Sequence, residues 1–197
     1  MSKPQSSSEE IECKFLNVDK TKLEKTLAEL GAEKKFSRLF KRNVFDFPDL
    51  RLHKESSWLR VRDEGDKVTM SYKQRQGVEE GGQDKGMTEI EVVVEDFEKT
   101  ADILKSIGMI TKFYEENRRT LYMLDGAQVT IDEWPLIPQY VEIEADSWQI
   151  VEDTASKLGF DLKDKKVNST MQVYKDYGID EMSFSILTFN KQEKAKR

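Results

Sequence analysis

Cysteine and histidine are almost absent from this chain of 197 residues, with Cys13 and His53 as single copies. A lone cysteine excludes an intrachain disulfide framework, and one residue of each kind excludes the usual Cys/His zinc site. No apolar run is long enough to span a bilayer, and the opening stretch from Met1 to Ser8 is polar throughout. A soluble, cytoplasmic protein with a disordered leader over residues 1–8 is therefore expected. The basic excess of a nucleic-acid binder is missing too, because the net charge is -6. So is the GxxxxGK[ST] loop that cradles phosphate with backbone amides.

Charge itself is abundant. Charged residues make up 36% of the chain against 37% hydrophobic, so one modest core is expected and some charges belong inside the fold. One acidic triplet occurs three times: Glu10-Ile11-Glu12, Glu89-Ile90-Glu91 and Glu142-Ile143-Glu144. Each lies in a strand-like segment followed by a helix-like one. Alternation puts both carboxylates of a triplet on one face and the isoleucine on the other. Carboxylates crowded this way repel unless a cation or basic side chains neutralise them.

The order of elements repeats. Glu10 to Leu16 reads as a strand, and Asp19 to Leu30 as a helix with Leu23, Leu27 and Leu30 on one side and Gly31 at its end. Strand patterns follow over Lys35 to Phe47, Trp58 to Arg62 and Val68 to Arg75, with Pro48, Asp49 and His53 in a connecting loop. The stretch from Gly77 to Gly86 holds four glycines among charged residues and reads as an exposed loop. A second round opens with the strand Thr88 to Val94 and the helix Asp96 to Ile107, stopped by Gly108. Lys35-Phe36 then aligns with Lys112-Phe113, Arg42 with Arg119 and Phe45 with Tyr122 at one offset from the two glycines, which indicates an internal duplication. A hairpin of Val129 to Trp134 and Tyr140 to Ala145 follows, then helices over Asp146 to Leu158 and Asn168 to Tyr177. Ser183 onward reads as a solvated or loosely docked tail.

Strand parity separates ions from apolar residues almost everywhere. Glu10, Glu12 and Lys14 oppose Ile11, Cys13 and Phe15; Arg60 and Arg62 oppose Leu59 and Val61; Thr69, Ser71, Lys73 and Arg75 oppose Met70 and Tyr72. Glu89 and Glu91 oppose Ile90, Val92 and Val94. Asn117, Arg119, Asp132, Trp134, Glu142 and Glu144 continue the polar face. A solvated face would mix its charges freely, whereas here whole strands carry acid pairs or base pairs. The expected fold is α+β: an eight-stranded antiparallel β-barrel, or tunnel, with a charged lumen and its apolar outer face under the helices. Acids and bases sharing a lumen suit a polyanion that carries Mg2+ or Mn2+, such as a di- or triphosphate.

These residues resemble the CYTH superfamily, the triphosphate tunnel metalloenzymes, which includes class IV adenylyl cyclases, thiamine triphosphatases and inorganic triphosphatases. The resemblance rests on an ExExK signature at Glu10-Ile11-Glu12-Cys13-Lys14, then in order Arg60-Val61-Arg62, Lys73, Thr88 to Glu91, Arg119 to Tyr122, Asp132-Glu133-Trp134-Pro135 and Glu142-Ile143-Glu144. It implies one CYTH-like domain over residues 9–180 with a tail over 181–197. It also implies triphosphate bound by Lys14, Arg60, Arg62, Lys73 and Arg119, and metal held by Glu10, Glu12, Glu142 and Glu144. Glu10, Glu12, Lys14 and Asp132 would carry the catalysis, with Glu89 and Glu91 orienting basic side chains. Two departures stand out: Asn117 occupies a position that is often lysine in the family, and no His-Phe pair precedes the signature. The implied activity is metal-dependent hydrolysis of inorganic triphosphate or thiamine triphosphate. The alternatives are cyclisation of ATP to cyclic AMP and pyrophosphate, and non-catalytic binding of polyphosphate or nucleotide. The implied partner is a triphosphate-bearing small molecule, with no nucleic acid and no membrane, and a homodimer is compatible with this reading.

Overall fold

A computed structural model of the chain describes residues 11–75 and 87–195. The elements run β1 (Ile11–Phe15), α1 (Lys20–Glu29), β2 (Glu33–Asp46), α2 (Arg51–Lys54), β3 (Ser57–Asp63), β4 (Val68–Arg75), β5 (Met87–Val94) and α3 (Phe97–Ser106). They continue with β6 (Ile110–Leu124), β7 (Ala127–Glu133), β8 (Tyr140–Ala145), α4 (Trp148–Lys157), α5 (Thr170–Asp176), β9 (Phe184–Leu187) and β10 (Gln192–Lys194). The duplication is visible in this order, since β1-α1-β2-β3-β4 is echoed by β5-α3-β6-β7-β8. Asp19 and Asp96 cap the first helix of each round by accepting from the Lys22 and Lys99 backbone N–H. Gly31 and Gly108 leave those helices at φ 75° and 97°, a conformation that favours glycine.

The sheet is antiparallel, as expected, and its strands hydrogen-bond in the order β1-β8-β7-β6-β2-β3-β4-β5. Among the described residues this path ends at β1 and β5 with no rung joining them. The chain divides into two compact units, one built on residues 40–115 and the other on residues 10–39 and 116–197. In the first unit α3 lays Phe97, Ala101 and Leu104 on Phe45 and Val61 of β2 and β3. In the second, α1 (Leu23, Leu27) and α4 (Val151, Ala155) cover Cys13, Phe15, Val129, Ile131, Val141 and Ile143. Alternation thus sends the apolar side of each covered strand under a helix and leaves the ionic side on the opposite face. Cys13 is packed in this core, and burial pushes its thiol up to about 11.

Three features depart from expectation. The helices do not cover every strand: Ile90 and Val92 of β5 are 58% and 48% exposed, because β5 ends the hydrogen-bonded path and α3 packs on β3 instead. The stretch holding His53 contains a short helix, α2, rather than only a loop. Asp46 organises it by accepting from the backbone N–H of Phe47, Leu52 and His53, and His53 itself is exposed. The segment read as a tail carries structure as well: β9 pairs with β6 and β10. Phe184 and Leu187 pack with Trp134, Ile137, Tyr140, Val173 and Tyr174 in a second cluster. Sequence alternation missed β9 because the strand is only four residues long and its buried ends do not alternate. Leu187→Ala is expected to cost about 2–5 kcal/mol, read by urea unfolding. An unchanged midpoint would mean that this segment contributes nothing to the core. The leader, Glu10 and the glycine-rich stretch over residues 77–86 lie outside the described residues. No helix among the described residues is long and apolar enough to cross a membrane.

Candidate functional site

Two groups of side chains on the polar face hold the chemistry, one in each unit. In the second unit the register of β1 and β8 places Glu12 directly opposite Glu144 and Lys14 opposite Glu142. Like charges on one rung are destabilising unless something positive lies between them. Lys14 supplies part of that charge: its Nζ is 2.6 Å from Glu12 Oε1 and 2.9 Å from Glu142 Oε2, and the residue is 2% exposed. Burial would push its ammonium down, but Glu142 and Glu12 outweigh burial and hold it above its ordinary value. One carboxylate oxygen each from Glu12, Glu142 and Glu144 lies within 4.8 Å of the others. A set of oxygen donors without histidine or cysteine fits a hard divalent cation.

Glu142 is tied into a deeper network through β6 and β7. Arg119 sits opposite Asp132 and forks onto it, Nε to Oδ1 at 2.9 Å and NH2 to Oδ2 at 2.6 Å. The same NH2 group reaches Glu142 Oε1 at 3.4 Å. Burial opposes the guanidinium charge, and Asp132 and Glu142 overcome it, so Arg119 is held well above its ordinary value. Reciprocally, burial would raise Glu142, but Arg119 and Lys14 hold its carboxyl below the usual carboxylate range. Asn117 Nδ2 donates to Asp132 Oδ1 at 3.0 Å. Both Asp132 oxygens are thus occupied, and this fully buried carboxylate acts on Arg119. The amide explains how asparagine serves at position 117: it is a neutral second donor to Asp132, so the guanidinium remains the charge partner. Beside it the Tyr140 hydroxyl, 3.2 Å from Thr170 Oγ1, is pushed well up by burial and then by Asp132 and Glu142.

The first unit holds the complementary charge. Arg62 of β3 faces Arg42 of β2 across one rung, and Arg60 lies two residues along the same face. Arg62 donates to Glu64 through Nε and NH2 at 3.0 and 2.6 Å and lies over the Phe40 ring. Arg60 has no such relief. Its Nε is buried without a partner, and it forms no ion pair among the described residues. Burial first, then Arg62 and Arg42, push its guanidinium down to about 9. On β4, Lys73 is paired with Glu89 of β5 at 2.8 Å, while Ser71 stands opposite both Arg60 and Glu91.

The structure therefore brings Glu12, Lys14, Glu142, Glu144, Asp132 and Arg119 together in one unit. It gathers Arg60, Arg62, Lys73, Glu89 and Glu91 on neighbouring strands of the other. Glu10 lies outside the described residues. Trp134, expected on the polar face, is packed edge-on against Tyr174 at 6.2 Å inside the second cluster. Arg42 was not among the expected site residues, although its alignment with Arg119 in the internal repeat marks it as a polar-face base.

A family model for the CYTH domain matches residues 8–172. No curated protein matches the chain, but solved structures do. The PH1012 protein from Pyrococcus horikoshii OT3 is 22% identical with a TM-score of 0.63, over 83% of this chain and 98% of its own. A candidate adenylate cyclase from Vibrio parahaemolyticus is 12% identical with a TM-score of 0.69, over 86% and 99%. A candidate adenylyl cyclase from Hippeastrum with a dominant triphosphatase activity is 16% identical with a TM-score of 0.59, over 88% and 98%. At these identities the likeness is one of fold.

Proposed function

The chain belongs to the CYTH domain family, and from that premise we propose that it carries out divalent-metal-dependent phosphoryl chemistry on a triphosphate compound, specifically hydrolysis of inorganic triphosphate or thiamine triphosphate. The observation that carries this reading is the guanidinium of Arg60, whose Nε is buried without a partner beside Arg42 and Arg62 and whose charge Glu89 and Glu91 offset only in part. A half-buried cation with no ion pair among the described residues costs free energy that an anion recovers on binding, and planar guanidinium forks match phosphate oxygens. The acidic group of the second unit has the opposite need, which a divalent cation meets.

Glu12, Glu142 and Glu144 would hold Mg2+ or Mn2+, whose chemistry there is neutralisation of phosphate oxygen charge. Lys14 fixes the spacing of two of these carboxylates, Glu12 and Glu142, and helps hold Glu142 below the usual carboxylate range. Arg119, locked on Asp132, holds Glu142 from the other side. The arginines of β2 and β3 bind and orient the phosphate chain, and orientation with charge stabilisation supplies most of the acceleration in phosphoryl transfer. Hydrolysis is favoured over cyclisation by Trp134. The aromatic best placed by sequence to stack on a base is buried against Tyr174, and an inorganic triphosphate needs no such surface.

Incubation with Mg2+ or Mn2+ and tripolyphosphate, thiamine triphosphate or ATP, followed by separation of products, tests the proposal. Orthophosphate should be released from tripolyphosphate or thiamine triphosphate. Cyclic AMP with pyrophosphate from ATP, and no orthophosphate from the others, would replace hydrolysis with cyclisation. Glu12→Gln should abolish the metal-dependent activity, whichever is found.

A further inference from the structure

Beneath the arginines of the first unit lies a pair of polar atoms that neither the metal nor the guanidinium groups account for. Thr69 and Ser71 of β4 sit on the same strand face, 0% and 1% exposed. The hydroxyl of each is buried with no hydrogen-bond partner. The register of β3 and β4 pairs them with the basic side chains, Thr69 opposite Arg62 and Ser71 opposite Arg60. Residues directly opposite on one rung lie on the same face with Cβ atoms about 4.5–5.5 Å apart. Two unsatisfied hydroxyls and an unsatisfied arginine Nε therefore occupy neighbouring positions.

Folding does not select such a group. A buried hydroxyl without a partner costs about 1–3 kcal/mol, and valine in place of threonine, or alanine in place of serine, would remove the cost without changing the shape much. Donors left in this state are ready to bond something that arrives later. A hydroxyl beside a guanidinium can donate to an ionised oxygen, and two such donors on one oxygen recur wherever phosphate is recognised by side chains. Each rung here offers one hydroxyl and one guanidinium. The rungs lie two residues apart, roughly 6.6–6.8 Å along the strand, so they present two anion positions rather than one, the position at Arg62 being shared with Glu64.

We infer that Thr69 and Ser71 are ligand-binding residues which form the floor of the anion site, and that together with Arg60 and Arg62 they read a chain of phosphoryl groups in preference to a single phosphate. This rests on the proposed triphosphate chemistry and deepens it, because it assigns discrimination by chain length to neutral donors while the arginines supply affinity. Removing a hydroxyl leaves the charge of the site untouched, so its effect on binding is separable from electrostatic attraction.

The test is calorimetric binding of inorganic tripolyphosphate and of orthophosphate without added metal, with the melting temperature of each ligand-free variant measured alongside. Thr69→Val and Ser71→Ala should each weaken tripolyphosphate binding about 10-fold, the loss for one hydrogen bond to a charged group. Each should also lower the preference for tripolyphosphate over orthophosphate and leave the ligand-free melting temperature equal to or above that of the original protein. Thr69→Ser, which restores the hydroxyl, should recover binding. Binding unchanged in both variants overturns the inference while leaving the triphosphate reading intact. A lowered melting temperature with unchanged binding does the same, by showing that the hydroxyls are bonded within the fold. If the original protein fails to bind tripolyphosphate at all, the triphosphate reading falls with it.

Discussion

Glu142→Gln is expected to lower turnover about 100- to 1,000-fold, the loss typical when a positioned charge at a phosphoryl or acyl site is neutralised. Glu142 joins both parts of the second unit's network, with Lys14 at 2.9 Å, Arg119 at 3.4 Å and the oxygens of Glu12 and Glu144 within 4.8 Å. The fold should survive, because Lys14 keeps Glu12 and Arg119 keeps Asp132. A stability loss of about 1.5–3 kcal/mol is expected, the range for one hydrogen bond to a charged group. The pH profile distinguishes this role from simple packing. The Glu142 carboxyl is held below its ordinary value of 4.5 in the folded protein. Its contribution to stability is therefore full above that value and is lost as pH falls through the lower folded one. The Lys14 ammonium is held above 10.5, so its contribution is full below that value and is lost as pH rises past it. Urea unfolding of the Glu142→Gln variant should show a weaker acid dependence than the original protein. Equal acid dependence in the two proteins would mean that the carboxylate is not engaged as described.

Arg60→Met is expected to separate stability from binding in the opposite sense. Methionine fills much of the same volume and carries no charge, so the variant should unfold at the same temperature as the original protein or higher in the absence of ligand. Affinity for tripolyphosphate should fall about 10- to 100-fold, and the rise in melting temperature that the ligand produces should shrink accordingly. The original protein should lose much of that ligand-induced rise at high salt as the attraction is screened. A clear drop in the ligand-free melting temperature of the variant would show that Arg60 has a structural counter-charge, and the main support for an anion site would go with it.

Much of the site is legible in the chain because strand parity is strict. Once Glu12-Cys13-Lys14, Arg60-Val61-Arg62, Thr69 to Lys73 and Glu142-Ile143-Glu144 are read as strands, period 2 alone assigns every ion to one face. The helices were equally plain from Leu23 and Leu27, or Phe97, Ala101 and Leu104, each ended by a glycine with positive φ. Parity does not extend to partners. Alternation places Asp132 on the polar face beside any acid or base there, but only the register of β6 on β7 sets it against Arg119, and only its burial leaves both oxygens committed to Arg119 and Asn117. Trp134 shows the same limit, since its parity was polar and its surroundings are Tyr174, Phe184 and Leu187.

The three Glu-Ile-Glu triplets divide along this line. Their composition and spacing by themselves determine that each is a strand with two carboxylates on one face, because alternation is a local property of extended backbone. Which cation each carboxylate meets is a matter of strand neighbours, and those come from distant parts of the chain. Tertiary pairing sets Glu12 and Glu142 on Lys14 and gathers Glu144 to them, sets Glu89 on Lys73, and leaves Arg60 with no ion pair among the described residues. Ionic charge is written in the sequence, but its compensation depends on distances of a few ångströms between strands that the sequence keeps far apart.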